Sequence, residues 1–165
     1  MLVSAALFAA AALLTFSGCS GYQNGWLYPQ DVRTVYVEMF DSVSFRRGYE
    51  YTLTDAVCKR IESQTPYKIV SDRQKADTIL SGTLSIRNTV MSADRYTGRP
   101  IEYETGVVVT VTWKDLRTGR ILVDNAQVTA AEDYSGLLGQ TIDYSLSSAV
   151  NKAAVRVVEL MEIPW

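Results

Sequence analysis

Residues 105–131, TGVVVTVTWKDLRTGRILVDNAQVTAA, alternate apolar and polar side chains on both sides of a glycine-bearing turn. From Thr105 to Lys114, Val107, Val109, Val111 and Trp113 fall on one side and Val108, Thr110 and Thr112 on the other. A period of two is the signature of a strand with one face in a core. Asp115 to Arg120 contains Gly119 and reads as a turn, so Ile121 to Ala131 returns as a second strand. Upstream, Ala76 to Ile86 sets Leu80, Gly82, Leu84 and Ile86 on one face, which predicts a third long strand and an antiparallel meander.

Working outward, Arg33 to Met39 alternates Val35, Val37 and Met39 against Thr34, Tyr36 and Glu38, a half-buried strand that ends at Phe40-Asp41-Ser42. The period then changes. Between Ser44 and Gln64, Tyr49, Leu53, Val57 and Ile61 recur every four residues, with charged side chains on the other sides, which predicts an amphipathic helix stopped at Thr65-Pro66. A short strand is expected at Tyr67 to Val70. Leu137 to Glu162 carries a second apolar stripe through Leu138, Ile142, Leu146, Ala149, Val150, Ala153 and Val157, and Pro164 bars its continuation. Each helix has one apolar side, so the expected fold is α+β: a mainly antiparallel sheet of four to five strands with two helices packed on one face.

The first stretch of the chain behaves differently. Residues 1–18 carry no charge and are almost wholly apolar or small, closing on Phe16-Ser17-Gly18 before Cys19. An apolar core of about 15 residues is short for a membrane span and suits a secretory signal. Small residues directly before a cysteine resemble the bacterial lipobox, although Phe16 stands where leucine is usual. Residues 1–18 are therefore expected to be a lipoprotein signal peptide, removed so that the Cys19 thiol carries diacylglycerol and its amine a fatty acyl group. No Lys or Arg precedes the core, so the charge that normally opens a signal is expected from the amino terminus or from residues further upstream. Ser20 is not the aspartate associated with inner-membrane retention, which favours a periplasm-facing anchor on the outer membrane. Residues 19–31 form a tether rich in Gly, Asn and Pro but also in aromatics, and residues 32–165 form one domain.

Composition narrows the function. A net charge of −2 argues against a nucleic-acid partner. There is no histidine, which removes the commonest general base and metal ligand together with every Ser-His-Asp arrangement. The chain has two cysteines; with Cys19 lipidated, Cys58 has no partner and reads as a small buried hydrophobe in the first helix. No Walker loop, GxGxxG or CxxC is found, so no cofactor or metal is expected and the chain reads as a binding or assembly component rather than an enzyme.

Several stretches in order resemble one family: the lipobox with Cys19-Ser20-Gly21-Tyr22, the strand Val32 to Val37, Phe45-Arg46-Arg47-Gly48 before the helix, Ala76-Asp77-Thr78-Ile79-Leu80-Ser81-Gly82, a long hairpin and a closing helix. This is similar to the lipopolysaccharide-assembly lipoproteins called LptE. The resemblance implies an outer-membrane lipoprotein that assists assembly of, and plugs, the β-barrel protein LptD, the pair placing lipopolysaccharide in the outer leaflet. It also implies a basic ligand contact upstream of a Glu-Tyr pair, which here falls on Arg95 with Arg99 beside it, before Glu102-Tyr103. These are the expected lipopolysaccharide-binding residues, a planar permanent charge suiting lipid A phosphate. The family's second basic contact, between the last strand and last helix, is replaced by the acidic Glu132-Asp133-Tyr134-Ser135-Gly136-Leu137.

Two further readings compete with this one. A periplasm-facing accessory lipoprotein could serve another envelope complex as adaptor or ligand-binding module. A carboxylate-only hydrolase would need Asp94, Glu102, Glu104 and Asp115 to meet around one hairpin. A plug, for its part, meets a polar lumen wall and should present a wet, threonine- and charge-rich surface rather than a greasy one.

Overall fold

The computed structural model describes residues 27–163, so the predicted signal, Cys19 and most of the tether lie outside the described residues. Six strands and two helices follow in the order β1 (Thr34–Val37), β2 (Asp41–Ser42), α1 (Tyr49–Gln64), β3 (Lys68–Ile69), β4 (Thr78–Ala93), β5 (Pro100–Asp115), β6 (Ile121–Ser135) and α2 (Ile142–Glu159). The fold is α+β, as the hydrophobic periods require. β4, β5 and β6 form the antiparallel meander, with Leu80 opposite Trp113 and Val109 opposite both Leu84 and Val128. The sheet is nevertheless mixed, because β1 and β2 run parallel to β4, and β3 parallel to β1.

β1 and β2 lie one after the other along the same edge of β4, pairing with residues 78–80 and 83–84. Between them the chain turns inward and Phe40 becomes fully buried. Its ring fills the space beside Gly82, where a Cβ would stand 2.8 Å from the Phe40 ring and overlap the Thr110 carbonyl oxygen. The break between two short parallel strands thus supplies a core side chain, and the glycine facing it makes room.

α1 buries Leu53, Val57 and Ile61, and α2 buries Leu146, Ala149, Val150, Ala153, Ala154 and Val157, against Leu80, Leu84, Val107, Val109, Val111 and Trp113 of the sheet. Alanines and valines on α2 allow close approach to the strands, and one buried and two partly exposed polar contacts set its position. The Thr105 and Ser145 hydroxyls are 2.9 Å apart, and Glu132 accepts from Ser148 Oγ and Lys152 Nζ, both at 2.6 Å. Both helices begin later than the segments read for them, Ser44 to Gln64 and Leu137 to Glu162. Ser44 Oγ is held by the Ile86 backbone N–H at 2.7 Å and Gly48 adopts φ 101°, so residues 44–48 form a loop. Gly136 to Leu138 makes a 3₁₀ turn that Gly139, at φ 71°, closes, leaving Leu138 exposed instead of on the stripe. Cys58 lies in α1 but is only half-buried, and burial, with Glu62 and Asp55 adding to it, pushes its thiol pKa up.

Candidate functional site

The long strands give the molecule two distinct ends. Sixteen residues of β4 at about 3.3 Å each span roughly 50 Å. At one end lies the β4–β5 hairpin tip. At the other, the Ile163 N–H donates to the Leu27 carbonyl at 2.8 Å, so the chain leading back to Cys19 departs from the end opposite the tip.

The tip is short, because both strands extend past the residues whose alternation announces them. Asp94 organises it: its Oδ1 accepts from the backbone N–H of Tyr96 (2.9 Å) and Thr97 (2.6 Å) and from the Thr97 hydroxyl (2.8 Å). The Asp94 N–H donates to the Arg99 carbonyl, and Gly98 takes φ 66° to close the turn. These donors, the Thr97 N–H first, hold the Asp94 carboxyl below its ordinary range. The turn leaves Arg95 and Arg99 exposed, and among the described residues neither is in an ion pair. The two arginines predicted as ligand contacts are therefore brought together at one exposed tip, with Tyr96 94% exposed between them.

The acidic segment Glu132 to Leu137 does not form a single acidic surface. Glu132 is turned toward α2, where hydrogen bonds from Lys152 and then Ser148 lower its pKa. Asp133 lies on the opposite sheet face, while Tyr134 stacks on Tyr103 with ring centres 5.0 Å apart. Leu137 and Leu138, each 77% exposed, continue the apolar part of this end.

The four carboxylates of the hydrolase reading are not gathered. Asp94 is used by its own turn and Glu102 accepts from Ser92 Oγ at 3.0 Å. Asp115 is at the far end of β5, accepting from the backbone N–H of Arg117 and Thr118. Among the described residues no group of three or more His, Cys, Asp or Glu is placed to hold a metal ion. No helix of the described residues is long and apolar enough to cross a membrane.

A further feature is the sheet face turned away from the helices. Its cross-strand rows are Thr83–Thr110–Gln127, Ser85–Val108–Thr129, Arg87–Gly106–Ala131 and Thr89–Glu104–Asp133. Hydroxyls, amides and small side chains dominate, in contrast to the valine and leucine rows on the covered face. The face is rich in threonine, also carries Arg87, Glu104 and Asp133, and covers three long strands. Alternation produces it directly: the Thr-x-Thr positions of β5 must point opposite to Val107, Val109, Val111 and Trp113.

The sequence of residues 32–160 matches the family model LptE: Lipopolysaccharide-assembly. No curated protein matches the chain significantly. Among solved structures, the fold is similar to an uncharacterized lipoprotein B from Nitrosomonas europaea, at TM-score 0.61 and 14% identity over 84% of this chain and 88% of that one. It is also similar to the rare lipoprotein B from Shewanella oneidensis, at TM-score 0.54 and 18% identity over 78% and 93%. The PelC dodecamer subunit from Paraburkholderia phytofirmans shares the fold at TM-score 0.51 and 15% identity over 80% and 90%. At these identities the structural likenesses establish the fold, and the sequence match establishes the family. The chain belongs to the LptE lipopolysaccharide-assembly family.

Proposed function

We propose that this LptE-family protein is an outer-membrane lipoprotein, acylated at Cys19, that assists assembly of the LptD β-barrel and plugs its lumen for lipopolysaccharide transport. Family membership supports the pathway, and the observation that carries the plug is the uncovered sheet face. An exposed surface built from Thr, Ser, Gln and small residues is what a polar lumen wall accepts. In an aqueous plug it needs no apolar partner to be stable, and it can exchange hydrogen bonds with the wall and trapped water. The protein acts by shape and contact, without catalysis.

The anchor and the tip have separate tasks in this reading. The lipid on Cys19 holds the end where Leu27 and Ile163 meet, and the hairpin tip presents Arg95 and Arg99 roughly 50 Å away to the phosphates of the glycolipid. Purification of the tagged protein from detergent extracts tests the partnership. The barrel should accompany it at near-equal amount, and depletion of the lipoprotein should leave the barrel misassembled. Recovery of the lipoprotein alone, with normal surface glycolipid in its absence, would contradict the reading. Replacing both arginines, R95Q and R99Q, should weaken lipopolysaccharide binding at least about tenfold, the scale of losing charged hydrogen bonds.

A further inference from the structure

The uncovered sheet face is not uniform: it contains a hollow of about 480 Å3 around Gly106, within the size range of about 300–1,000 Å3 that small-molecule pockets span. Arg87 of β4 and Arg156 of α2 both line it. Among the described residues neither guanidinium is in an ion pair. Glu104 and Thr129 lie on its rim, and Gly106 and Ala131 form its floor.

The fold does not require glycine at 106. Its backbone lies outside the left-handed region, and an added Cβ would meet nothing nearer than the Arg87 carbonyl at 3.8 Å. A strand-interior glycine weakens a sheet and commonly marks the close approach of a ligand or another backbone. Two arginine forks suit a phosphate. A carboxylate and a threonine hydroxyl suit the hydroxyls of a ring, and a glycine–alanine floor lets that ring lie close to the strands. The Glu104 carboxylate also disfavours a bare, fully charged anion.

We propose that the hollow between Arg87 and Arg156 binds a phosphorylated sugar, at a site distinct from the hairpin tip. Arg87 lies six residues of extended chain before the end of β4 at Ala93, so the hollow is about 20 Å along the strand from the start of the tip. The inference adds a ligand contact to the proposed function and rests on that reading only for the source of the sugar phosphate.

The test is calorimetric titration of the purified full chain in detergent, without the barrel, using glucosamine 1-phosphate, glucosamine and inorganic phosphate as probes. Glucosamine 1-phosphate should bind at least about tenfold more tightly than either of the others, with the paired substitution R87Q and R156Q removing at least that factor. G106V, which fills the hollow, should abolish binding while leaving the unfolding midpoint near wild type; if it fails to fold, the arginine pair decides. No binding at millimolar probe, equal affinity for inorganic phosphate, or insensitivity to the Arg87 and Arg156 changes would overturn the site. Displacement of the probe by lipopolysaccharide supports the glycolipid head group as its source, and absence of displacement overturns that source. None of these outcomes bears on whether the barrel copurifies.

Discussion

Gly82 of β4 and Gly106 of β5 lie on adjacent strands of the same sheet, and the space around them differs. At Gly82 the Phe40 ring and the Thr110 carbonyl fill the space a methyl would need. G82A should therefore cost about 1–3 kcal/mol by overpacking, seen as a lower urea midpoint. At Gly106 the space is open, and G106A should be neutral or slightly stabilising, by up to about 1 kcal/mol, in the same measurement. A second residue-scale prediction concerns Asp77, whose Oδ2 accepts from the N–H groups of Arg33 (3.0 Å) and Thr34 (2.9 Å). Burial pushes its carboxyl up, but these donors, the Thr34 hydroxyl and the Arg117 guanidinium at 3.7 Å outweigh it and the pKa is lowered. A carboxyl whose folded pKa is depressed stabilises the protein fully above its unfolded value of about 3.9, and that stabilisation is lost as pH falls through the folded value. Urea midpoints should thus be level from pH 7 to 5 as far as Asp77 is concerned and drop below about pH 4. D77N should lose about 1–3 kcal/mol at pH 7 and show a shallower acid limb.

Among the elements, the two helices begin in different ways. Thr141 caps α2 by accepting the Tyr144 N–H, whereas α1 starts from the left-handed Gly48, whose N–H is taken by Glu50 Oε2 at 2.8 Å. T141A should cost about 1 kcal/mol in a denaturation experiment. The meander and both helices were legible because burial imposes periods of two and near four on Val107 to Trp113 and on Tyr49 to Ile61. Their ends were less so. Arg87-Asn88-Thr89 and Glu102-Tyr103-Glu104 lie where the strands outrun the core, so alternation fades while backbone pairing continues. β2 is two residues long, and its parallel pairing with β4 depends on Phe40 turning into the core, which no local pattern announces. Arg95 and Arg99 were marked by the family resemblance rather than by any local pattern, and the turn built by Asp94 leaves both exposed. The Gly106 hollow could not be read from the sequence, since only the folded chain brings Arg156 of α2 beside Arg87 of β4.

Across the whole molecule, a single long sheet separates an apolar, helix-covered side from a polar, uncovered one, and the end where Leu27 and Ile163 meet from the hairpin tip of Arg95 and Arg99. The β6 edge would be a template for unwanted strand pairing if left plain. Here Asn125, at φ 45°, marks an irregularity opposite Val111 to Trp113, and Lys152 Nζ bonds the Ala131 carbonyl at 3.4 Å. Both features discourage strand addition at the edge and leave the flat face as the larger surface for contact. The plug reading stands on that face, and site-specific photocrosslinking in living cells tests it most directly. Crosslinkers placed at Thr83, Thr110 and Thr129 should each give an adduct with the mass of the lipoprotein plus its barrel. Folded protein at normal abundance that yields no such adduct from any of the three positions would contradict the account.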